Sequence, residues 1–226
     1  MKKFMILAAV AMLVGRASAA VRDTISLNAG WQFHLGELSG IEAVKNAKSE
    51  RVNLPHDFLI GQPWVEPDAS ERPDNSDAGS NVRSRLSPRG FKEMNVGWYR
   101  YVLTPKAEWK GRRVVLDFQG IMLVGDVWLN GKHIGKTDYG YLGFDTDISS
   151  ILKYDGDNEI IVKANTQQPN NSRWYTGGGL YRDVNIIVTD KKLYFPRHPL
   201  FIRTENNKKV KIQAEIACFN KVDNIP

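Results

Sequence analysis

The sequence predicts an all-β protein built on an antiparallel β-sandwich, and three observations support this fold. Short runs rich in β-branched and aromatic residues recur from Trp98 onward, each next to a turn signal. An Asn-Gly pair at 130–131 separates two runs that contain apolar residues, as in a tight β-hairpin. No helical period of comparable strength appears, and the best candidate, around residues 41–48, is weak.

Each predicted strand has an identifiable boundary. The run at 98–103 ends at Pro105, and the run at 114–118 ends at Gly120. The run at 160–162 follows an Asp-Gly-Asp-Asn turn, and the run at 184–188 follows a cluster of glycines. Runs of about five residues with this composition are typical of half-buried strands.

The hairpin at 127–134 is the clearest local signal. A type I′ turn requires positive φ at both central residues, which Asn130 and Gly131 tolerate. The side chains then alternate, so Val127 and Leu129 are expected on one face and Trp128 on the other. His133 follows the turn and is expected to be a solvated edge residue.

Two other segments differ in character. Residues 62–94 contain several prolines and many polar residues, which predicts a long irregular loop that is either functional or a mobile insertion. Trp64 near its start is a candidate to pin this loop to the body of the domain. After a short linker, apolar residues alternate with polar ones from Val210 to Cys218, which predicts a strand with Cys218 as a small buried hydrophobe.

The first residues have the order of a secretory signal. Lys2 and Lys3 precede an apolar run at 4–14, and Ala17-Ser18-Ala19 provides a cleavage motif. We expect a secreted or periplasmic bacterial protein, without a membrane anchor after cleavage following Ala19. Cleavage also removes three positive charges and lowers the formal net charge from +6 to +3.

Composition excludes several classes of protein. The chain has 226 residues, of which 42% are hydrophobic and 10% aromatic, unlike a disordered or collagen-like chain. One cysteine forms no internal disulfide, and four scattered histidines lack metal-ligand spacing, so we expect no metal and no cofactor. The basic pairs are isolated, which argues against nucleic-acid binding. No G-x-S-x-G elbow or phosphate-binding loop is present.

A set of motifs, taken in order, resembles the N-terminal sugar-binding domain of family 2 glycoside hydrolases, the β-galactosidase and β-glucuronidase group. The motifs are Trp31-Gln32-Phe33, Leu54-Pro55-His56-Asp57, Gly97-Trp98-Tyr99-Arg100, Val127-Trp128-Leu129-Asn130-Gly131, Gly140-Tyr141 with Phe144-Asp145, and the stretch from Arg173 to Val184. The resemblance covers residues 24–190 and implies a jelly-roll-like, galactose-binding-domain-like sandwich. With the signal peptide at 1–19 inferred above, it implies two further segments: the sandwich at 20–190, and a linker with the start of an incomplete immunoglobulin-like domain at 191–226.

The resemblance also points to candidate site residues. Arg173, Trp174 and Tyr175 could contact a galactoside-like sugar, because aromatic rings stack on sugar C–H faces and a guanidinium bonds hydroxyls. The residues expected to shape the scaffold are His56, Asp57, Trp128, Asn130, Gly131, Gly177, Gly178, Gly179, Tyr181 and Arg182. Three consecutive glycines permit backbone angles and close approaches that side chains forbid. An equal alternative is that the glycines with Tyr181 and Arg182 lock the domain against a neighbour.

The chemistry of hydrolysis is expected elsewhere. A retaining glycosidase needs two carboxylates about 5–5.5 Å apart. In the resembled family both lie in a C-terminal (β/α)₈ barrel, which needs roughly 250 residues. We therefore expect no catalytic residue here, and we interpret the Asn158-Glu159 pair as a turn leading into a strand, with Glu159 a solvated edge residue.

Three functions stay open from the sequence. The chain could be the accessory domain of a β-galactosidase-like enzyme whose barrel lies outside it, a free-standing carbohydrate-binding module, or a structural docking domain. The segment before Gly97 is charged, with Arg83, Arg85, Arg89 and Lys92, where related galactosidases often carry glycines.

Overall fold

The computed structural model describes residues 22–65, 91–167, 175–205 and 208–218. The described residues divide into two units, residues 24–188 and residues 189–218 with 22–23. The predicted signal peptide and most of the predicted irregular loop lie outside the described residues, as do Arg173 and Trp174.

Ten described strands in two sheets build the larger unit. Their bounds are β1 Asp23–Ser26, β2 Trp31–Leu35, β3 Glu50–Val52, β4 Val96–Leu103, β5 Arg113–Phe118, β6 Val124–Leu129, β7 Lys132–Thr137, β8 Phe144–Asp147, β9 Asn158–Asn165 and β10 Val184–Thr189. One sheet has the order β1-β10-β5-β8 and the other the order β3-β2-β4-β9-β6-β7. The pairs β2–β4, β4–β9, β6–β9 and β5–β8 are antiparallel, which confirms the predicted fold class.

The core lies between the two sheets, and strand alternation fills it. On β4, the Tyr99 side chain belongs to the main buried cluster between the sheets, whereas Trp98 belongs to a second, smaller cluster with Val44, Val96 and Ile161. Leu116 on β5 and Ile186 on β10 supply the core from the four-stranded sheet. Residues two apart on a strand share one face, so the alternation seen in the sequence places the buried set inward.

The weak helical signal becomes a single turn of helix, α1, at Ile41–Val44. Val44 is buried and packs with Trp98 and Ile161 on the side of the six-stranded sheet that faces away from the core. A four-residue helix is too short to be stable alone, so this packing holds it in place. A 3₁₀ turn at Ala107–Trp109 inserts Trp109 into the main core.

The β6–β7 hairpin turns as the sequence predicts. Asn130 has φ 51° and Gly131 has φ 80°, the two positive values of a type I′ turn. Val127 and Leu129 are fully buried, and the Trp128 ring stacks on Trp98 with 6.0 Å between ring centroids. The predictions for this hairpin are confirmed.

The smaller unit contains two short antiparallel ribbons. Strand β11 (Leu193–Tyr194) pairs with β14 (Ala217–Cys218), and β12 (Leu200–Glu205) pairs with β13 (Lys209–Ala214). Ile202 lies opposite Ile212, and both are exposed. The strand predicted at 210–218 forms in two pieces, β13 and β14, and residues 215–216 between them are not in a strand. The predicted burial of Cys218 lies outside what the structure describes. The assignment of this unit to an immunoglobulin-like domain stays a prediction. No helix among the described residues is long and apolar enough to cross a membrane.

Candidate functional site

The segment at 54–59 lies along the glycine triplet. The Leu54–Pro55 peptide is cis, and the following residues bond across to residues 178–180. His56 N donates to Leu180 O at 2.8 Å, and Phe58 N donates to Gly178 O at 3.1 Å. Two motifs that are more than a hundred residues apart in sequence therefore form one backbone-paired unit.

Asp57 ties this unit together through both carboxylate oxygens. Its Oδ1 accepts from Leu59 N at 3.0 Å and from Gly178 N at 2.8 Å. Its Oδ2 accepts from the Tyr175 hydroxyl at 2.8 Å. The contact with Leu59 is that of a turn acceptor, consistent with the scaffold role expected for Asp57, and the other two anchor the loop before β10.

The glycine triplet is close-packed and therefore requires glycine. A Cβ at Gly177 would lie 2.8 Å from Asp57 Oδ2, and one at Gly178 would lie 2.8 Å from Leu59 Cγ. A Cβ at Gly179 would overlap the Tyr99 hydroxyl and lie 2.9 Å from His56 O. Gly177 and Gly179 also have positive φ values of 75° and 105°. All three are buried, so this part of the motif acts as scaffold.

Behind the glycines lies a polar pair, His56, which is partly buried, and Tyr99, which is fully buried. His56 Nδ1 lies 2.9 Å from the Tyr99 hydroxyl, whose oxygen also accepts from Leu180 N at 3.4 Å. Burial lowers the pKa of His56, and the Glu50 and Asp57 carboxylates oppose that shift. Burial also raises the pKa of the Tyr99 phenol, so this hydroxyl is neutral across the physiological range. Tyr99 was not among the site residues predicted from the sequence, although the Gly-Trp-Tyr-Arg motif contains it.

Tyr175 is the described member of the three candidate sugar-contacting residues. Its side chain is 41% exposed, while its hydroxyl is held by Asp57. Burial raises the pKa of this phenol, and the hydrogen bond to Asp57 adds to the shift. The ring is thereby held at its hydroxyl end, and part of its surface is exposed to solvent.

Tyr181 and Arg182 belong to a neighbouring cluster. The Tyr181 hydroxyl donates to Gly140 O at 2.8 Å, and a Cβ at Gly120 would lie 2.7 Å from the Tyr181 ring. The Arg182 guanidinium lies 5.0 Å from the Tyr181 ring centroid and donates to Tyr141 O at 3.3 Å. Met122 connects this cluster to the glycine triplet by pairing with Gly179.

Two exposed apolar side chains flank that cluster. Tyr139 is 57% exposed and Leu142 is 65% exposed. We define the Tyr139 patch as Tyr139, Tyr141, Leu142, Tyr181 and Arg182. The sequence analysis did not single out Tyr139 and Leu142. The feature that could have identified them is their position directly before and after the Gly140-Tyr141 motif.

The hairpin residues Trp128, Asn130 and Gly131 are not brought to the Asp57 carboxylate. Asn130 instead accepts from Glu159 N at 3.0 Å and donates to Asn158 Oδ1 at 2.8 Å. The expectation of a solvated edge position for Glu159 is wrong, because β9 is a central strand. The Glu159 carboxylate accepts from Arg100 Nε at 2.6 Å and lies 3.2 Å from Lys45 Nζ.

Two further expectations concern exposed residues. His133 is exposed on the edge strand β7, as predicted, and its Nε2 lies 2.9 Å from Asp126 Oδ1. Trp64 is exposed, and its ring centroid lies 4.1 Å from Lys92 Nζ.

Within the described ranges, no group of three or more His, Cys, Asp or Glu side chains is arranged to hold a metal ion.

Comparison with known proteins identifies the domain. The family described as glycosyl hydrolase 2 galactose-binding domain-like matches residues 90–188. The chain is 31% identical to the beta-galactosidase BoGH2A of Bacteroides ovatus over 74% of its length, and it covers 18% of that protein. It is 29% identical to a beta-glucuronidase of Bacteroides fragilis over 78% of its length, and it covers 22% of that protein. The chain thus spans about a fifth of the length of these relatives.

Solved structures show the same fold. A beta-glycosidase from Bacteroides vulgatus matches with a TM-score of 0.66 and 28% identity, over 85% of this chain and 24% of that chain. A glycosyl hydrolase family 2 member from Bacteroides cellulosilyticus matches with a TM-score of 0.65 and 28% identity, over 80% of this chain and 22% of that chain. The sandwich of this chain belongs to the galactose-binding-like N-terminal domains of the family 2 glycoside hydrolases.

Proposed function

We propose that this chain is the sugar-side accessory domain of a β-galactosidase-like glycoside hydrolase, acting beside a catalytic barrel in the hydrolysis of O-glycosyl bonds. The observation that carries the proposal is Tyr175, a partly exposed aromatic ring whose hydroxyl is fixed by Asp57 at 2.8 Å. A fixed ring loses little conformational entropy when a sugar stacks on it. Arg173 and Trp174 directly precede it in the sequence and belong to the same proposal.

A chimera tests the accessory role. Residues 20–190 of this chain replace the matching N-terminal segment of the Bacteroides ovatus beta-galactosidase, and hydrolysis of p-nitrophenyl β-galactoside is measured. We expect activity in the chimera. Tyr175→Ala should lower kcat/KM by about tenfold, whereas Tyr175→Phe keeps the ring and should cost less, because one hydrogen bond contributes roughly 1 kcal/mol.

The outcomes separate the alternatives. A chimera that is folded by circular dichroism but inactive would argue against the accessory role. An active chimera whose kcat/KM is unchanged by Tyr175→Ala would support the accessory role and contradict a sugar contact by Tyr175. Calorimetric titration of this chain alone with methyl β-galactoside tests a free-standing binding module, and heat of binding at millimolar sugar would favour that function.

A docking role is the second candidate, and the exposed Tyr139 patch supports it. Exposed aromatic residues with an arginine are the side chains most enriched at protein interfaces. The relatives are about five times longer than the matched segment, so their N-terminal domain has a large protein neighbour. We propose the catalytic barrel as the occupant of this patch. Leu142→Glu should destabilise the chimera while leaving this isolated chain as stable as before, and equal loss in both would mean a folding defect.

Export through the N-terminal signal is also proposed. The charged, apolar and small-residue order of residues 2–19 supports it. Expression of the full chain in a bacterial host, followed by fractionation and N-terminal sequencing, should give a periplasmic product that starts at Ala20. A cytoplasmic product that retains Met1 would contradict the proposal.

A further inference from the structure

The side of the six-stranded sheet that faces away from the core carries a row of polar side chains. Gln32 on β2 lies opposite Arg51 on β3 and opposite Arg100 on β4. Residues paired across a sheet project to the same face, so these three side chains form a continuous row. None of the three belongs to the backbone-paired unit around Asp57 or to the Tyr139 patch.

Two grooves flank Arg100 along this face. The first, with a volume of about 530 Å³, lies toward the edge strand and is lined by Gln32, Glu50 and Arg51. The second, of about 420 Å³, lies toward α1 and the hairpin turn at 130–131. Arg100 and Val102 line both grooves. We define the two grooves together as the Arg100 trough; each lies within the usual range for small-ligand sites, roughly 300–1,000 Å³.

The donors at the centre of the trough are held in place. Arg100 Nε donates to Glu159 Oε1 at 2.6 Å, and its Nη1 donates to Gln32 Oε1 at 2.6 Å. Lys45 Nζ lies 3.2 Å from the other oxygen of Glu159. A guanidinium clamped from two sides is pre-organised, so little rotamer freedom is lost when a ligand binds beside it.

The charges of the trough are balanced. In the second groove three cations face three carboxylates: Lys45, Arg100, Lys153, Glu42, Asp157 and Glu159. In the first, Arg51 lies beside Glu50, and among the described residues nothing pairs with the Arg51 guanidinium. A lining with equal numbers of cations and carboxylates provides hydrogen-bond donors and acceptors at close spacing. Because its net charge is zero, it attracts neither anions nor cations, and it therefore favours a polar ligand without net charge.

We propose that the Arg100 trough binds a neutral oligosaccharide that lies across the sheet. Each sugar hydroxyl both donates and accepts hydrogen bonds, which matches alternating carboxylate, amide and guanidinium groups. Val102 is 42% exposed at the junction of the two grooves and offers an apolar contact for the C–H face of one sugar ring. This inference does not depend on the accessory role or on Tyr175.

Nuclear magnetic resonance titration of the full chain tests the proposal. The probes are β-1,4-linked galactotetraose and xylotetraose at millimolar concentration, with a tetragalacturonate as the charged comparison. A neutral probe should shift the backbone amides of Gln32, Arg51, Arg100 and Val102. Arg51→Ala and Gln32→Ala should each weaken binding about five- to tenfold, which corresponds to the loss of roughly one hydrogen bond.

Matched variants keep the test specific. Lys136→Ala removes an exposed cation from the opposite edge strand and should leave the affinity unchanged. Shifts confined to residues 175–179 would support the Tyr175 site and overturn the trough. Preferential binding of the tetragalacturonate would overturn its neutral specificity, and the absence of shifts at the trough with every probe would overturn the proposal.

Discussion

The Asp57 carboxylate accepts a hydrogen bond from the Tyr175 hydroxyl at 2.8 Å across 118 positions of sequence. The same carboxylate accepts from the backbone of Gly178 and Leu59. One side chain thus joins the Leu54–Asp57 motif to the glycine-rich motif and orients the candidate sugar-contacting ring. The position of the ring depends on this carboxylate as well as on the glycines.

Replacement of Asp57 tests this relationship. Burial is the larger cause of the raised pKa of Tyr175, and the Asp57 carboxylate adds to it by stabilising the protonated phenol. Asp57→Asn removes the negative charge, so the pKa of Tyr175 should fall part of the way toward the ordinary value of 10.0. The shift can be followed by the ring-carbon resonance of labelled tyrosine. Asp57→Ala should lower the free energy of unfolding by about 2 kcal/mol, since hydrogen bonds to a charged group are lost.

Asp138→Ala is the control for that stability measurement. Asp138 is exposed and pairs with Lys136 at 2.7 Å, so its loss should lower the free energy of unfolding far less than the loss of Asp57. Equal effects of Asp57→Ala and Asp138→Ala in urea denaturation would contradict the anchoring role of Asp57.

Gly179→Ala should be strongly destabilising. The φ of 105° disfavours any L side chain, and the new Cβ would overlap the Tyr99 hydroxyl. Strain and overpacking together should cost at least about 3 kcal/mol. Gly156→Ala is the matched control, because nothing lies within 4 Å of its Cβ position. Thermal denaturation of both variants makes the comparison, and a stable Gly179→Ala protein would show that the triplet is not close-packed.

His56 should make stability depend on pH. Burial lowers its pKa below 6.5 in the folded state, while the unfolded chain titrates near 6.5. Between these two values the unfolded state binds more protons, so stability falls as the pH drops below about 6.5 and is unaffected above it. Melting temperatures at pH 7.5 and pH 5 measure the effect. His56→Gln should flatten this dependence, and an unchanged slope would assign it to other groups.

Two substitutions of Asn130 separate its two roles in the hairpin. Asn130→Gly keeps the positive φ but loses the bonds to Asn158 and Glu159, whereas Asn130→Ala loses both. We expect Asn130→Gly to cost about 1–2 kcal/mol and Asn130→Ala about 1 kcal/mol more. Equal unfolding free energies for the two variants would show that the backbone conformation contributes nothing.

Local chemistry made much of the fold predictable. The Asn-Gly pair specified the hairpin turn because few residues tolerate two positive φ values in succession. Strand alternation placed Val127 and Leu129 in the core and Trp128 on the opposite face, since the period of a strand is two. Glu159 was misplaced because local sequence does not show whether a strand is central or at an edge. The partners of Glu159, Arg100 and Lys45, come from distant segments.

The sequence by itself determined the hairpin turn, the more apolar strands from Trp98 onward and the domain family of the sandwich, because those signals are encoded in neighbouring residues. It did not predict the short strands β1, β3 and β8. The tertiary structure decided what the motifs do. It packed the glycine triplet against Asp57 and Tyr99, left the Tyr175 ring partly exposed while its hydroxyl bonds to Asp57, and assembled the Arg100 trough. Each of these arrangements depends on the order of strands in the sheets, which brings together residues that are far apart along the chain.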